Sequence, residues 1–581
     1  MSSLDRREFL STLAAAPAAT QRAASAPPNI LIILTDDQGY GDLSCHGNPV
    51  LKTPNLDRLH SQSVRFTDFH SAPMCTPTRG QLLSGLDALY NRATSVTAGR
   101  AVLRRDVPTM ADIFSAAGYR TGVFGKWHVG DNYPYRPMDR GFQEALYHLG
   151  FGMSSAPEFG NDYFNGRYRD KGVIKKFEGY CTDFWFREAM RFMRDSHSRK
   201  QPFLCYLPTN APHGPHWVDE KYAAPYKKHG GVANFFGMIA NIDENMGKLE
   251  QFLAETGLRD NTIVIFMTDN GGTAGVKIFN AGMRGRKQMY YDGGHRVPCF
   301  IRWPNGKLRQ PGDVATTAQM QDILPTLIDL CGIKKPANAR FDGVSLTPLL
   351  RGTGTIADRM MVVQYGQILK KWDACTIWGK WRLVGQDELY DLREDPGQEK
   401  NLASQNPEVL AKMRAYYEAW WEKNVSVLDD YQAISLGAPQ ENPVHLTSSD
   451  WQDVYADNPT HVSNAVGGPR GGPWNVFIER DGEYQISLSR WPPEHNLPLT
   501  AGRPVQKMTV GELPEGKAMP IGGATLTIAG QTATTKTRPE DKAAVFKVRL
   551  KGGVRTRLHG WFLDSAGNDL CGAFYAVVTR L

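Results

Sequence analysis

The sequence predicts an α/β fold, a mixed sheet sandwiched by helices, with a strand-rich region appended at its C-terminal end. Three observations carry this. Asn29–Thr35 (NILIILT), Pro202–Leu207 (PFLCYL) and Thr262–Met267 (TIVIFM) are short apolar runs without polar alternation, the pattern of strands buried on both faces. Helix-like stretches at Pro108–Ala117, Thr182–Arg194 and Val232–Thr256 separate or flank them. Beyond Asp429 helical periodicity becomes scarce, and turn signals divide a series of β-like runs.

A chain of 581 residues holds a large core and one or more further domains. Its 67 basic and 60 acidic residues give a net charge of +7, a slight excess over a mixed surface. Basic patches can attract acidic substrates, but nothing resembles a nucleic-acid motif. No window resembles a membrane span of about 20 apolar residues, so no stable membrane insertion is expected. Eight cysteines in so long a chain make no disulfide framework, and spacing does not set their pairing. At the N-terminus Arg6 and Arg7 precede Glu8-Phe9-Leu10, a weakly apolar Ser11–Ala19 run and the small residues Ala24-Ser25-Ala26. This resembles a twin-arginine signal, which implies twin-arginine export machinery as a partner and a periplasmic or secreted bacterial protein.

The first apolar strand ends at Asp36-Asp37. Open α/β sheets place ligands at that end, and two adjacent carboxylates repel unless a cation or bases neutralise them. A helix N-cap would explain one of the pair but not readily both. Ser71–Arg79 (SAPMCTPTR) follows. A helix starting at Thr76 or Pro77 puts Cys75 at its positive end and Arg79 one turn on, close enough to serve the same anion. Cys75 as a small buried hydrophobe is the plainer alternative.

A strand over Tyr119–Phe124 leads into Gly125-Lys126-Trp127-His128, where Lys126 and His128 can both face a cleft or either can be an ordinary surface group. Residues 130–200, rich in Gly, Tyr, Phe and Asp, have the irregular character of a segment that builds a substrate pocket. After Pro202–Leu207 the prolines around His213 stiffen its loop, with His216 either lining the pocket or lying at the surface. Thr262–Met267 ends in Thr268-Asp269-Asn270-Gly271-Gly272. Its carboxylate and amide oxygens can converge with Asp36 and Asp37 on a hard cation, and the same residues also make a good turn. Thr317–Leu330 has helical spacing, Arg359–Gln364, Trp381–Val384 and Glu388–Asp391 are strand-like, and Pro407–Trp421 is a helix with a proline start.

CTPTR, TDDQGYGDLSCHG, KTPNLDRL, GKWH, the His213 loop, the Arg284–Pro298 block and ELYDLREDPGQEKNLA recur in the order found in the formylglycine-dependent (type I) sulfatases. The chain resembles a bacterial exported member of that family over roughly residues 29–425. The resemblance implies an alkaline-phosphatase-like mixed sheet sandwiched by helices, a small antiparallel-sheet subdomain, and oxidation of Cys75 to formylglycine by a maturation enzyme. It implies one Ca2+, with Mg2+ as the alternative, held by Asp36, Asp37, Asp269, Asn270 and the modified Cys75. Lys126, Lys287 and His213 would hold the sulfate, Arg79 the formylglycine hydrate, and His128 would assist its deprotonation. His213 or Lys287 would protonate the leaving alcohol. Asp292 and His295 depart from the commoner family pattern, which has Glu at the first of these positions.

The expected division is a signal segment over 1–26, a catalytic α/β domain over 27–345, a small sheet subdomain over 346–429, a linker over 430–444 and an accessory β-sandwich-like domain over 445–581. Trp451, Trp474, Trp491 and Trp561 are candidates for stacking on sugars, although tryptophans in a small sandwich are mostly core. The implied reaction is hydrolysis of a sulfate monoester, with a sulfated small molecule or glycan as substrate. A phosphate or phosphonate monoester hydrolase of the same superfamily and an inactive glycan-binding protein are the alternatives.

Overall fold

A computed structural model describes residues 26–581 apart from 338 and 465–469, so the expected signal segment lies outside the described residues except for Ala26. At its centre five parallel strands run in the order Thr262–Thr268, Asn29–Thr35, Phe203–Pro208, Arg120–Lys126 and Glu144–His148. Antiparallel Cys299–Arg302 and Val64–Phe66 extend one edge, followed by Gly312–Val314, and Arg167–Asp170 and Val173–Lys176 extend the other. The sheet is therefore mixed, with its purely parallel part covered on both faces.

The pleat explains why the central strands are apolar throughout. Ile30, Ile32, Leu34, Ile263 and Ile265 point into one core beneath the Cys75–Ser84, Met110–Ala116 and Ile323–Leu330 helices. Leu31, Ile33, Val264 and Phe266 point into the other, beneath Pro54–Ser61, Cys181–Ser198 and Ala233–Glu255. Register then fixes the working edge. Ile30 pairs with Leu204 and Ile263, and Thr35 pairs with Thr268, so Asp36 and Asp269 leave the sheet side by side.

The expected helix over Thr317–Leu330 is shorter. Ala318–Gln319 pairs with Phe69–His70 as a strand, and the helical part starts only after a capping box between Gln319 and Asp322. Thr317 Oγ1 donates to Asp68 Oδ2 at 2.6 Å and Ala318 N to the Asp68 carbonyl at 3.0 Å, holding the chain extended there. The small sheet gains a strand that the sequence did not mark, Ala374–Trp378, between Met360–Gln364 and Trp381–Val384, and ends at Glu388–Asp391.

The C-terminal domain is built from two sheets. One orders Ile434–Leu436, Trp474–Ile478, Val554–Leu563, Gly523–Ile528 and Gln531–Lys536, with Asp569–Gly572 on Val554–Leu563. The other orders Val444–Thr447, Tyr575–Arg580, Gly482–Ser489 and Ala544–Leu550. Ile434–Leu436 takes part of the expected linker into a sheet, by parallel pairing with Trp474–Ile478. Gln531–Lys536 is almost wholly exposed and polar, which is why no apolar pattern announced it. Trp451, Trp474 and Trp491 are buried in the shared core, and Trp561 is half-buried.

Several buried histidines make stability depend on pH. His148 is fully buried between Phe177 and Trp185, neither ring nitrogen has a hydrogen-bond partner among the described residues, and burial pulls it down to about 4. The unfolded chain binds the proton near 6.5, so this contribution is complete above that pH and is lost as pH falls toward 4. At pH 5 the loss is on the order of 2 kcal/mol. Urea unfolding midpoints at pH 7.5 and pH 5 should therefore differ, and His148→Phe should narrow the difference.

Candidate active site

The site forms where three strand ends and one helix start meet. Asp36, Asp37, Cys75, Arg79, Lys126, His128, Asp269 and Asn270 are all buried, and Lys287 and His213 are nearly so. The structure thus brings together residues spread over more than two hundred positions of sequence.

Cys75 opens its helix one residue earlier than the proline suggests, with Met74 as N-cap and no side chain capping the first turn. The exposed N–H groups and partial positive charge of that turn point at the carboxylate cluster. From the next turn Arg79 donates through Nη2 to Asp269 Oδ2 at 2.7 Å, stands 3.5 Å from Asp36 Oδ2, and donates through Nη1 to the Lys126 carbonyl at 3.0 Å. Burial opposes its charge, yet Asp269 more than restores it and holds the guanidinium proton more tightly than usual.

Lys126 pairs with Asp36, and Lys287 pairs with Asp37 Oδ1 at 2.5 Å. Burial, together with the Asp269 carboxylate, pushes the Asp36 carboxyl up to about 7. Burial acts on Asp37 as well, but the Lys287 ammonium and His213 outweigh it and hold that carboxyl below the usual range. Asn270 Nδ2 donates to Asp37 Oδ1 at 3.0 Å, and the Asp37 N–H donates to Asp269 Oδ1 at 3.2 Å. Asp36 Oδ1 and Asn270 Oδ1 are buried without a hydrogen-bond partner among the described residues. Ligand-capable atoms of Asp36, Cys75 and Asp269, and of Asp36, Asp37 and His213, lie within 4.8 Å of one another. Oxygen donors with orphaned lone pairs fit a hard dication.

Backbone geometry aims these groups. Asp37 and His128 are left-handed, at φ 68° and 59°, conformations that non-glycine residues adopt at a cost and that concentrate at functional sites. A Cβ on Gly125, at φ 135°, would lie 1.8 Å from the Pro208 carbonyl, so only glycine lets the Lys126 strand close against its neighbour here.

The histidines differ in tautomer. His128 Nε2 faces the Val96 carbonyl at 3.1 Å and therefore carries the proton, which leaves a buried Nδ1 lone pair without a partner among the described residues. Burial, with Lys126 and Arg79, keeps this ring neutral far below its ordinary range. His213 Nδ1 faces the Gly214 carbonyl at 2.7 Å, and its Nε2 lies 3.8 Å from Asp37 Oδ2. Burial pulls it down to about 3. His216 is set apart, its half-buried ring edge-on to Phe235.

Three residues were missed from sequence. The Tyr163 hydroxyl, 2.7 Å from the His213 carbonyl, steadies that loop from the irregular insert. Tyr365, from the small sheet region, packs on Cys75, Met74 and Val96 with its hydroxyl buried and unpartnered among the described residues. Val96 both packs on Cys75 and holds His128. None sits in a local motif; only three-dimensional packing identifies them. Asp292 and His295, the departures noted in sequence, lie away from the carboxylates. Asp292 Oδ1 accepts from Arg382 at 2.8 Å and His295 Nδ1 meets His70 Nδ1 at 2.9 Å, tying the Lys287 loop to the small sheet.

A carboxylate cluster, a cysteine at a helix start and two lysines paired with adjacent aspartates form the site. Residues 28–333 match the sulfatase family, and residues 284–419 match the family described as N-sulphoglucosamine sulphohydrolase, C-terminal. The chain belongs to the sulfatase family, the formylglycine-dependent sulfuric ester hydrolases, and is an enzyme. It is 29% identical over 371 residues to N-acetylgalactosamine-6-sulfatase of Rattus norvegicus, covering 60% of this chain and 70% of that protein. To arylsulfatase A of Homo sapiens it is 30% identical over 452 residues, covering 68% and 87%. Among solved structures it resembles Ps i-CgsB in complex with k-i-k-neocarrahexaose, with 27% identity, a TM-score of 0.63, and coverage of 70% of this chain and 94% of that one.

The loop carrying Val96 is itself clamped by the C-terminal domain. Thr97 Oγ1 donates to the Ser449 carbonyl at 3.0 Å, Asp453 N donates to the Ala98 carbonyl at 3.1 Å, and Arg100 donates to Asp453 Oδ1 through Nε and Nη2 at 3.1 and 2.9 Å. Releasing this clamp frees the carbonyl that sets the His128 tautomer. Arg100→Ala should lower kcat about tenfold, or ~1.4 kcal/mol of barrier, and shift the acidic limb of the pH–rate profile while KM changes little. Kinetics across pH on an aryl sulfate, with circular dichroism to confirm the fold, measures this.

Proposed function

We propose that this chain is a bacterial exported sulfatase that removes sulfate from a carbohydrate monoester at the Cys75 centre. The observation that carries it is the convergence of Asp36, Asp37, Asp269 and Asn270 beside Cys75, with Lys126, Lys287 and Arg79 facing the same point. A sugar substrate is supported by the names of the relatives, which include an N-acetylgalactosamine-6-sulfatase, and by the k-i-k-neocarrahexaose in the Ps i-CgsB complex. Export through the twin-arginine route to the periplasm or medium rests on Arg6-Arg7 and the small residues that follow. No helix among the described residues is long and apolar enough to cross a membrane.

Asp36, Asp37, Asp269 and Asn270 would hold one Ca2+, with Mg2+ the alternative, since an all-oxygen set suits a hard dication. Oxidation of Cys75 to formylglycine by a maturation enzyme supplies a hydrated aldehyde as nucleophile. The protein's own groups do the rest. Lys126 and Lys287 neutralise the sulfate oxygens, Arg79 orients Asp269 and the residue at position 75, and His213 shares the leaving-group side with Lys287. His128, neutral and with a free Nδ1, takes a proton and so permits release of sulfate. The division at residues 345, 429 and 444 assigns all of this chemistry to the first domain and a supporting role to residues 445–581.

Peptide mass spectrometry of protein co-produced with a maturation enzyme should find position 75 oxidised, and Cys75→Ala should lose nearly all turnover with the fold intact. Unmodified thiol in a fully active preparation would refute the assignment. Turnover of matched aryl sulfate and aryl phosphate, then of defined sulfated sugars, should favour sulfate in every pair. Chelation should abolish that turnover and Ca2+ restore it; activity that survives complete removal of divalent ions would exclude the cation.

A further inference from the structure

Away from the catalytic carboxylates, the segment after Asp37 carries a second constellation that the chemistry above leaves unused. Cys45 and His46 sit on the short helical turn Ser44–His46, and His60 lies in the last turn of the Pro54–Ser61 helix. A sulfur or ring nitrogen from each lies within 4.8 Å of the others. All three residues are half-buried, so an ion can reach them from solvent. We propose that Cys45, His46 and His60 form a zinc site that clasps the turn to the helix.

The surroundings are built as a metal site requires. His46 Nδ1 faces the Tyr40 carbonyl at 2.8 Å, which places the proton there and leaves Nε2 as the donor, the outer contact typical of metal-bound histidine. Tyr40 stacks on His46 at 3.9 Å, and Phe300 stands edge-on to His46 at 5.6 Å and to His60 at 5.1 Å, so the imidazoles are held by an aromatic wall. The His60 ring makes no hydrogen bond to any described residue. Asp57 locks the two elements together by accepting from Cys45 N at 3.0 Å, Ser44 Oγ at 2.7 Å and Thr53 Oγ1 at 3.0 Å, and adds negative charge beside the sulfur.

Ligand type selects the ion. One thiolate and two imidazoles are poor partners for Ca2+ or Mg2+ and good ones for zinc, with a fourth position left for water. Zinc bonds of about 2.0–2.3 Å bring tetrahedral donors to roughly 3.5 Å apart, a contraction that side-chain rotation alone can supply. As the zinc–sulfur bond forms, the Cys45 thiol releases its proton to solvent, and no electron is transferred.

The test uses the full chain, matured so that position 75 carries no thiol and kept in excess Ca2+ so that the catalytic carboxylates are occupied. Zinc titration followed by dialysis should leave one zinc per chain, and Co2+ in its place should give a thiolate-to-cobalt charge-transfer band. Cys45→Ser and His60→Gln should each weaken zinc at least tenfold, and Cys45→Ser should abolish the band. Aryl sulfate turnover should be unchanged in both, showing that they fold. Retention of no zinc by the wild type, equal retention by both variants, or a band that survives Cys45→Ser would overturn the proposal.

Discussion

Mutual repulsion of three buried carboxylates is the constraint on which this structure turns. Asp36, Asp37 and Asp269 leave adjacent strand ends with almost no contact with water, an arrangement that would ordinarily protonate or unfold. Three cations answer them, Arg79 from the Cys75 helix, Lys126 from a third strand and Lys287 from a distant loop. The compensation is incomplete at Asp36, which remains pushed up to about 7 by burial and by Asp269. A dication held by Asp36, Asp37, Asp269 and Asn270 would offset that remaining repulsion.

The same requirement explains why the site takes its parts from so many elements. Like charges can be assembled at one point only if the backbone is held rigidly, and here left-handed Asp37 and His128 and the glycine contact at Gly125 do so. Further out, Asp292 and His295 anchor the Lys287 loop through Arg382 and His70, so the small sheet helps to hold one of the three cations. Asp292 Oδ1 accepts from Arg382 at 2.8 Å.

The C-terminal domain is more than a neighbour. Its Ser449–Asp453 turn grips the 97–100 loop, and that loop carries the carbonyl on which the His128 tautomer depends. Tyr575 donates to the Ala156 carbonyl at 2.9 Å, and Leu513 enters the core of the catalytic part. These contacts pack the C-terminal domain directly onto the catalytic part.

By itself the sequence determined four of the five central parallel strands, the helices that cover them and the nature of the chemistry, whereas Glu144–His148 lies in a segment read as irregular. Apolar runs such as NILIILT are legible because burial on both faces leaves no polar position, and each ends on the residue that works. The paired aspartates were legible as two carboxylates at the end of an apolar strand, whereas the roles of Cys75, Lys126 and Lys287 were read from the resemblance to the sulfatase family. Tertiary structure alone decided which groups answer which charges. Whether Lys287 meets Asp37, whether Val96 sets His128, and whether Tyr365 covers Cys75 are matters of contacts between segments far apart in the chain. Such contacts leave no periodicity, since one carbonyl or one hydroxyl suffices. For the same reason Gln531–Lys536, a polar strand defined only by its partner, and Ala318–Gln319, kept extended by Asp68, became visible only in the fold.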